Sequence, residues 1–232
     1  SSFTKPTIRK LNSSFMQLNH RWAERLSLEV VAQLTRYAED LVRFNPVENL
    51  VSRVDPEREI RRLIEESVRA GEELGLGSGD RVLDVGSGGG FPGLVWACLH
   101  PRTDFVLAER RRARCDFLER EVRRLRLERV TIFAGDVRSL DAGTFTFVSA
   151  KAVADADEYL AWVEPHLGGS ARVVVFQRAG WPGPGREGWK VERSWSVLEE
   201  ADRADRWVYV VGRGTPRTND PRETTSSDDQ PG

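Results

Sequence analysis

From Arg81 to Phe176 the chain alternates short apolar runs with amphipathic stretches, and this alternation narrows the possible folds more than any other feature. Arg81-Val82-Leu83-Asp84-Val85, Phe105–Ala108, Val130–Phe133, Phe145–Ser149 and Arg172–Phe176 are strand-length and rich in β-branched and aromatic residues. Helical stretches separate them at about 92–99, 111–126 and 155–167. Parallel neighbours need a crossover between them, so strands alternating with helices predict a parallel sheet covered on both faces. The ending differs. Trp189–Leu198 and Arg206–Gly212 both read as strands with no full helix between them, and Gly180–Gly185 reads as loop. The expected sheet is therefore mixed, with an antiparallel strand at or near one edge.

Two helices are predicted ahead of this pattern. Leu28, Val31, Leu34, Tyr37, Ala38, Leu41 and Val42 recur at three- and four-residue steps, with Ser27 as N-cap, and Asn45-Pro46 is expected to end that helix near Phe44. Asp55-Pro56 starts the second helix, which runs to about Leu74 before Gly75, Gly77 and Gly79. Residues 1–20 read as a loose arm or short helix, and the polar stretch 214–232 as a disordered tail. The expected organisation is an N-terminal arm and helical extension over 1–76, a ligand-binding α/β domain over 77–213, and the tail.

The two cysteines, Cys98 and Cys115, lie in helical segments without a CxxC partner or a histidine cluster. They read as small buried side chains in a reducing compartment, with no metal site expected. The formal charge is −1, so no global field draws the chain to nucleic acid, but arginine far outnumbers lysine and the charge is patchy. No apolar run approaches the ~20 residues that cross a bilayer. The chain starts at Ser1 rather than Met, which reads as processing or trimming, and a cytoplasmic protein is the expectation.

The chemistry is concentrated in Asp84-Val85-Gly86-Ser87-Gly88-Gly89-Gly90-Phe91-Pro92-Gly93, which follows the first strand and opens the first crossover helix. Glycines allow left-handed backbone angles and close approach of a ligand, and ligands of open α/β sheets lie beyond the carboxyl ends of the strands. Alone, such a turn is weak evidence. Asp84 precedes the glycines, and a carboxylate suits a cationic or hydroxyl-rich ligand better than a phosphate. Glu109 ends the second strand, where it can hold both hydroxyls of a ribose. Gly-Lys-Ser/Thr is absent, so this is no phosphate loop. Asp136 and Val137 close the third strand and suit an adenine amino group and ring nitrogen. Together these features point to S-adenosylmethionine. A nicotinamide dinucleotide shares the ribose acid and is the competing reading, against which the antiparallel finish argues.

Three stretches resemble the small-subunit ribosomal RNA methyltransferase G family, also called the glucose-inhibited division protein B family. They are Phe44-Asn45 with Asn49-Leu50-Val51-Ser52, Asp84 through Leu94 with its Phe91-Pro92-Gly93 ending, and Glu109 with Phe117-Leu118 and the run to Val130. The resemblance covers about residues 27–180. It implies a Rossmann-like class I methyltransferase fold with seven strands, S-adenosylmethionine as cofactor, and N7-methylation of guanine in small-subunit ribosomal RNA. With the strand-end reading, the candidate cofactor contacts are Asp84, Gly86, Ser87, Gly88, Gly90, Phe91, Glu109, Arg110, Asp136 and Val137. The chain also departs from the family pattern. Leu63 and then Glu66-Ser67 stand where the family has His and then Asp-Ser. Ala113, beside Arg112 and Arg114, replaces a Lys. Asp136-Val137-Arg138 replaces Arg-Ala-Glu, Ala150-Lys151-Ala152 replaces Ala-Arg-Ala, and Gln177-Arg178-Ala179-Gly180 lies where the family has Lys-Gly.

Guanine N7 carries an in-plane lone pair and no proton, so its methylation needs placement more than a general base. Lys151, just past the fourth strand, is the candidate catalytic, acceptor-facing cation; a plain surface lysine is the alternative. Asn49, Arg111, Arg112, Arg114 and Arg138 are the other candidate substrate contacts. Guanidinium groups suit phosphates and bases, and arginines opening a helix oppose its dipole by up to ~1 kcal/mol each. Later along the same helix, Arg120, Arg123, Arg124, Arg126 and Arg129 alternate with Glu119, Glu121 and Glu128, which favours a solvated, ion-paired face. Trp181, Trp189, Trp195 and Trp207 read mainly as edge-strand packing, and His20, His100 and His166 form no ligand spacing. The expected partner of this monomer is ribosomal RNA or the small subunit, with no membrane. A small-molecule or protein methyltransferase, and a cofactor-binding paralogue without catalysis, remain as alternatives.

Overall fold

The computed structural model describes residues 25–141, 143–151, 155–197 and 206–213. The predicted N-terminal arm and C-terminal tail lie outside these residues. Helix α1 spans Leu28–Glu48, with the Ser27 hydroxyl accepting from the Val30 N–H. It runs four residues past the predicted end, with Pro46 inside it. The proline removes only its own N–H, and the turn closes behind it. Asn49 N–H donates to the Asn45 carbonyl at 3.0 Å, and the buried Asn45 Oδ1 takes the Val51 N–H at 2.8 Å. Helix α2 spans Pro56–Leu74, capped by Asp55 and ended by Gly75 with φ +67°.

The rest of the order is β1 (Arg81–Val85), α3 (Gly93–Leu99), β2 (Asp104–Glu109), α4 (Arg112–Leu125), β3 (Val130–Ala134), a 3-10 turn (Val137–Ser139) and β4 (Phe145–Ala150). Then come α5 (Ala156–Val163), a second 3-10 turn (Glu164–His166), β5 (Leu167–Gln177), β6 (Trp189–Ser196) and β7 (Trp207–Arg213). Strand β5 starts five residues before the expected run. Pro165 ends the helical stretch early, while Gly168 and Gly169 mask the strand's first residues in the sequence.

Among the described residues the strands form one sheet, in the order β3-β2-β1-β4-β5-β7-β6. The first five are parallel; β7 lies antiparallel to both β5 and β6. The mixed sheet and its antiparallel finish match the expectation, and β6 forms the edge. Alternation along the strands divides the core in two. Val82, Val174, Val208 and Val210 join α1 to α4 on one face, while Leu83, Val173, Val175, Tyr209 and Val211 pack with α5 on the other. The helical extension is thus continuous with the sheet's core. The α2–α3 contact shows how closely: a Cβ at Gly71 would stand 2.7 Å from Trp96 Cδ1, and Trp96 Nε1 donates to the Ser67 carbonyl at 2.8 Å. Cys98 and Cys115 are buried free thiols, and burial pushes the Cys98 thiol up to about 12.

Candidate functional site

Strand β1 sits between β2 and β4, and the chain's path turns from one side of the sheet to the other at this point. The crevice beyond the carboxyl ends of β1 and β4 is therefore the topological switch point. The glycine turn lies there. Gly86 and Ser87 N–H both donate to the Ala108 carbonyl (2.8 and 3.1 Å), which fastens the turn to the end of β2. Gly86, Gly88 and Gly90 take φ of +68°, +57° and +102°. A Cβ at Gly86 would meet nothing within 4 Å. One at Gly88 would meet only an Arg114 guanidinium nitrogen at 3.6 Å and the Gly86 carbonyl at 3.7 Å. These two glycines leave their backbone open to a ligand. Gly90 does not: its Cβ would lie 2.6 Å from Leu94 Cδ1 and 2.7 Å from the Tyr37 hydroxyl. Phe91 is likewise buried, with its ring 5.5 Å from that of Tyr37. Both are candidate cofactor contacts; their side-chain directions point inward and shape the turn, which leaves only their backbone to meet a ligand.

Glu109 ends β2 beside the turn. One carboxylate oxygen accepts the Gly88 N–H at 2.9 Å and the other the Arg111 N–H at 2.8 Å. A carboxylate offers about four lone-pair positions, so two remain for hydroxyls. Open glycine backbone next to a fixed, half-satisfied carboxylate fits a ribose-bearing ligand. Asp84 faces inward from β1. Its carboxylate is buried, accepting from the Ser149 hydroxyl at 2.8 Å on neighbouring β4 and from the Gly93 N–H at 3.2 Å. Burial pushes it up to about 6 despite these hydrogen bonds and the charge of Lys151. Asp84 thus braces β1, β4 and the start of α3. The Ser87 hydroxyl donates to the Asp84 carbonyl within the same turn.

At the end of β3, Asp136 caps the 3-10 turn, and its carboxylate accepts from the Arg138 backbone N–H and from the Arg138 Nε and Nη2 along one edge of the guanidinium (2.9 and 2.7 Å). These bonds hold the Asp136 carboxyl well below the usual range. The two residues, assigned separately to cofactor and substrate by the sequence, pair with each other. Val137 is buried behind them. Arg110 is exposed, 3.7 Å from Asp136.

The remaining arginines divide. Arg112 begins α4 and pairs with Asp116 one turn on. Arg111, immediately before the helix, is exposed. Arg114 turns inward, donating to the Asn49 carbonyl at 3.0 Å with its other terminal nitrogen 3.9 Å from Glu109. Asn49 holds a left-handed helix cap at φ 53°, and its side chain accepts from Arg53. Glu121 does not lie on a solvated face as the charge pattern suggested. It falls on the buried stripe of α4 with Phe117, Leu118 and Leu125, beneath α1.

Lys151 stands at the end of β4. Its ammonium is 3.0 Å from Glu66 of α2 and lies 4.8 and 5.8 Å from the Phe176 and Phe91 ring centres. Glu66 also pairs with Arg62, which pairs with Glu59. Burial lowers the Lys151 pKa, opposed by Glu66. The sequence reading missed Glu66 as the partner of Lys151, along with Tyr37 and Ser149. Ser149 carried a readable signal, as the one hydroxyl in the β4 run besides Thr146 and in register with Asp84. Glu66 stood among the departures, and Tyr37 resembled any core aromatic.

Among the described residues no group of His, Cys, Asp and Glu is arranged to hold a metal, and no helix is long and apolar enough to cross a membrane. The model of the family described as rRNA small subunit methyltransferase G matches residues 30–181. Ribosomal RNA small subunit methyltransferase G 3 of Bdellovibrio bacteriovorus is 31% identical over 136 residues, 58% of this chain and 62% of its own length. Ribosomal RNA small subunit methyltransferase G of Gluconobacter oxydans is 34% identical over 142 residues, 61% of this chain and 72% of its own. A SAM-dependent methyltransferase structure from Aquifex aeolicus superposes with a TM-score of 0.52 at 14% identity, covering 76% of this chain and 98% of that one, which shows the shared fold. With the matched family region running from α1 through the glycine turn and Glu109 to the end of β5, the chain belongs to the rRNA small subunit methyltransferase G family.

Proposed function

We propose that this chain transfers a methyl group from S-adenosylmethionine to N7 of a guanine in small-subunit ribosomal RNA. The observation that carries the cofactor half is Glu109, fixed by the Gly88 and Arg111 N–H groups beside the open backbone of Gly86 and Gly88. Glu109 would take the ribose hydroxyls, and Gly86 and Gly88 would let the ligand close on the turn. When bound, the cofactor supplies an electrophilic sulfonium methyl group. The protein then has to place an acceptor and keep water away. Guanine N7 needs no proton removed, which agrees with acids that are already engaged: Asp84 by Ser149 and Gly93, Glu109 by Gly88 and Arg111, and Glu66 by Arg62 and Lys151.

Lys151 is the acceptor-side residue. An ammonium donates to guanine O6, the acceptor adjacent to N7 on the same base edge. Glu66 neutralises Lys151, so methylation, which leaves a cationic base, does not meet an uncompensated positive charge. Arg110, Arg111 and Arg112, exposed and following Glu109, suit RNA phosphates even though Arg110 and Arg112 each share one exposed ion pair, whereas Arg114 turns inward and Arg138 is bound to Asp136. We take the protein to act as a monomer in the cytoplasm, on assembled small subunits or their RNA.

Labelled methyl transfer to undermodified small subunits, followed by nucleoside mass spectrometry, tests the reading. The expected product is 7-methylguanosine at a single position. Label confined to a metabolite or protein fraction would overturn the RNA acceptor, and the absence of S-adenosylmethionine binding would overturn the cofactor.

A further inference from the structure

The helical extension reaches into the turn that the proposed cofactor would occupy. The buried Tyr37 hydroxyl, from the middle of α1, donates to the Gly89 carbonyl. It also lies in the space that a Gly90 Cβ would fill, and its ring packs on Phe91. The chain beyond α1 makes a second contact: the Leu50 carbonyl would stand 3.3 Å from a Gly89 Cβ. A third comes through Arg114, which spans from the Asn49 carbonyl to within 3.9 Å of Glu109. Three consecutive residues of the turn, Gly89, Gly90 and Phe91, thus rest on Tyr37, and the ribose acid is tied to the cap of the same helix.

We propose that Tyr37 and Arg114 are positioning residues for the cofactor, through which α1 fixes the glycine turn and Glu109 in register. Neither side chain needs to touch the ligand. Gly90 and Phe91 N–H donate to the Ser87 carbonyl within the turn, but the Gly89 carbonyl is held from α1, so removing the hydroxyl frees that carbonyl and loosens the peptides on either side of it. A turn that must reorder on binding weakens affinity by the cost of that ordering. This inference rests on the glycine turn being the S-adenosylmethionine site.

Calorimetric titration with S-adenosylmethionine tests it on the full chain, alongside thermal unfolding and turnover at saturating cofactor. Tyr37→Phe keeps the ring and its packing and should raise the Kd by about three- to tenfold, the range for one hydrogen bond, with kcat at saturation within about twofold of wild type. Arg114→Gln, on a more exposed side chain, should raise the Kd by a similar factor. Leu34→Ala on the same helix should lower the melting temperature without changing the Kd. Unchanged Kd in both Tyr37→Phe and Arg114→Gln overturns the inference, as does an equal rise in Leu34→Ala, which would make the effect one of general destabilisation. If wild type fails to bind at all, the cofactor reading itself falls and takes this inference with it, a result distinct from equal binding by wild type and variants.

Discussion

Two residues of the glycine turn and one acid decide whether the site is what it resembles. Gly88 adopts φ +57° with only a flexible guanidinium and one carbonyl near its missing side chain. Valine there is strained by its branched Cβ and fills the approach that the turn leaves open. Gly88→Val is expected to abolish S-adenosylmethionine binding in equilibrium dialysis while the protein still melts cooperatively. Glu109 carries more than its proposed ligand role, since it also closes the turn through Gly88 and Arg111. Glu109→Ala should weaken cofactor binding by about 1–3 kcal/mol, the range for hydrogen bonds to a charged group. Glu109→Gln should fall between the two, because its amide NH2 faces a backbone donor. Wild-type affinity in Glu109→Ala would place the ribose elsewhere. At this scale the sequence was legible where residue type dictates backbone or charge at a strand end, as at Gly86, Gly88 and Glu109. It was not legible where a side chain's direction decides. Asp84 and Phe91 point inward, and Asp136 is already claimed by Arg138.

The elements themselves were largely written in the periodicity, because strand and helix impose repeats of 2.0 and 3.6 that survive in the sequence. The misplaced ends have local causes. Pro46 is tolerated because Asn45 and Asn49 rebuild the last turn of α1, and β5 begins early because a proline and two glycines conceal its start. What no single element shows is which of its charges meet those of another. Lys151, just past β4, and Glu66 of α2 are 85 positions apart and 3.0 Å apart in space. Both stand at positions that depart from the resembled family, where an Arg and an Asp are replaced by a shorter base and a longer acid. Glu66→Gln leaves the Lys151 ammonium largely buried without a countercharge and should destabilise the fold by up to about 3–5 kcal/mol, less to the extent that the lysine sheds its proton. The double variant Glu66→Leu with Lys151→Met should recover part of that stability in urea titrations, since an apolar pair of similar volume replaces the Lys151 ion pair while Arg62 keeps only Glu59. Its methyl transfer to RNA should remain at least tenfold below wild type if Lys151 faces the acceptor. Wild-type transfer by the double variant would reduce the pair to packing.

Across the whole molecule, α1 closes over α4, and the contact buries two acids of like charge. Asp40 pairs with Arg124 at 2.7 Å. Glu121 has no exposed side-chain surface and no hydrogen-bond partner for either carboxylate oxygen, with Arg120 at 3.6 Å and turned over the Phe44 ring. This interface was invisible along the sequence, because Glu121 looks solvated until a helix from 80 residues earlier covers it. Burial, and then the charge of Asp40, push the Glu121 carboxyl up to about 7, while Arg120 and Arg124 pull it back. An unfolded glutamate titrates near ~4.3. Between these values the folded state binds the proton that the unfolded state has lost, so stability falls as pH rises. The contribution is intact below about pH 4 and is lost as pH climbs through about 7, amounting to roughly 4 kcal/mol at most for a shift of this size. Asp84, pushed up to about 6, adds a slope of the same sign over lower pH. Glu121→Gln removes the first slope and leaves the second. Urea unfolding at pH 5, 6, 7 and 8 should therefore show the variant gaining on wild type as pH rises, by about 1–3 kcal/mol at pH 8. A difference that stays constant from pH 5 to pH 8 would mean that Glu121 ionises normally and that α1 does not seal it. Since Tyr37 extends from the same helix to Gly89, a loosening of this contact at high pH should also appear as weaker S-adenosylmethionine binding in wild type. In Glu121→Gln the affinity should stay level between pH 6 and pH 8.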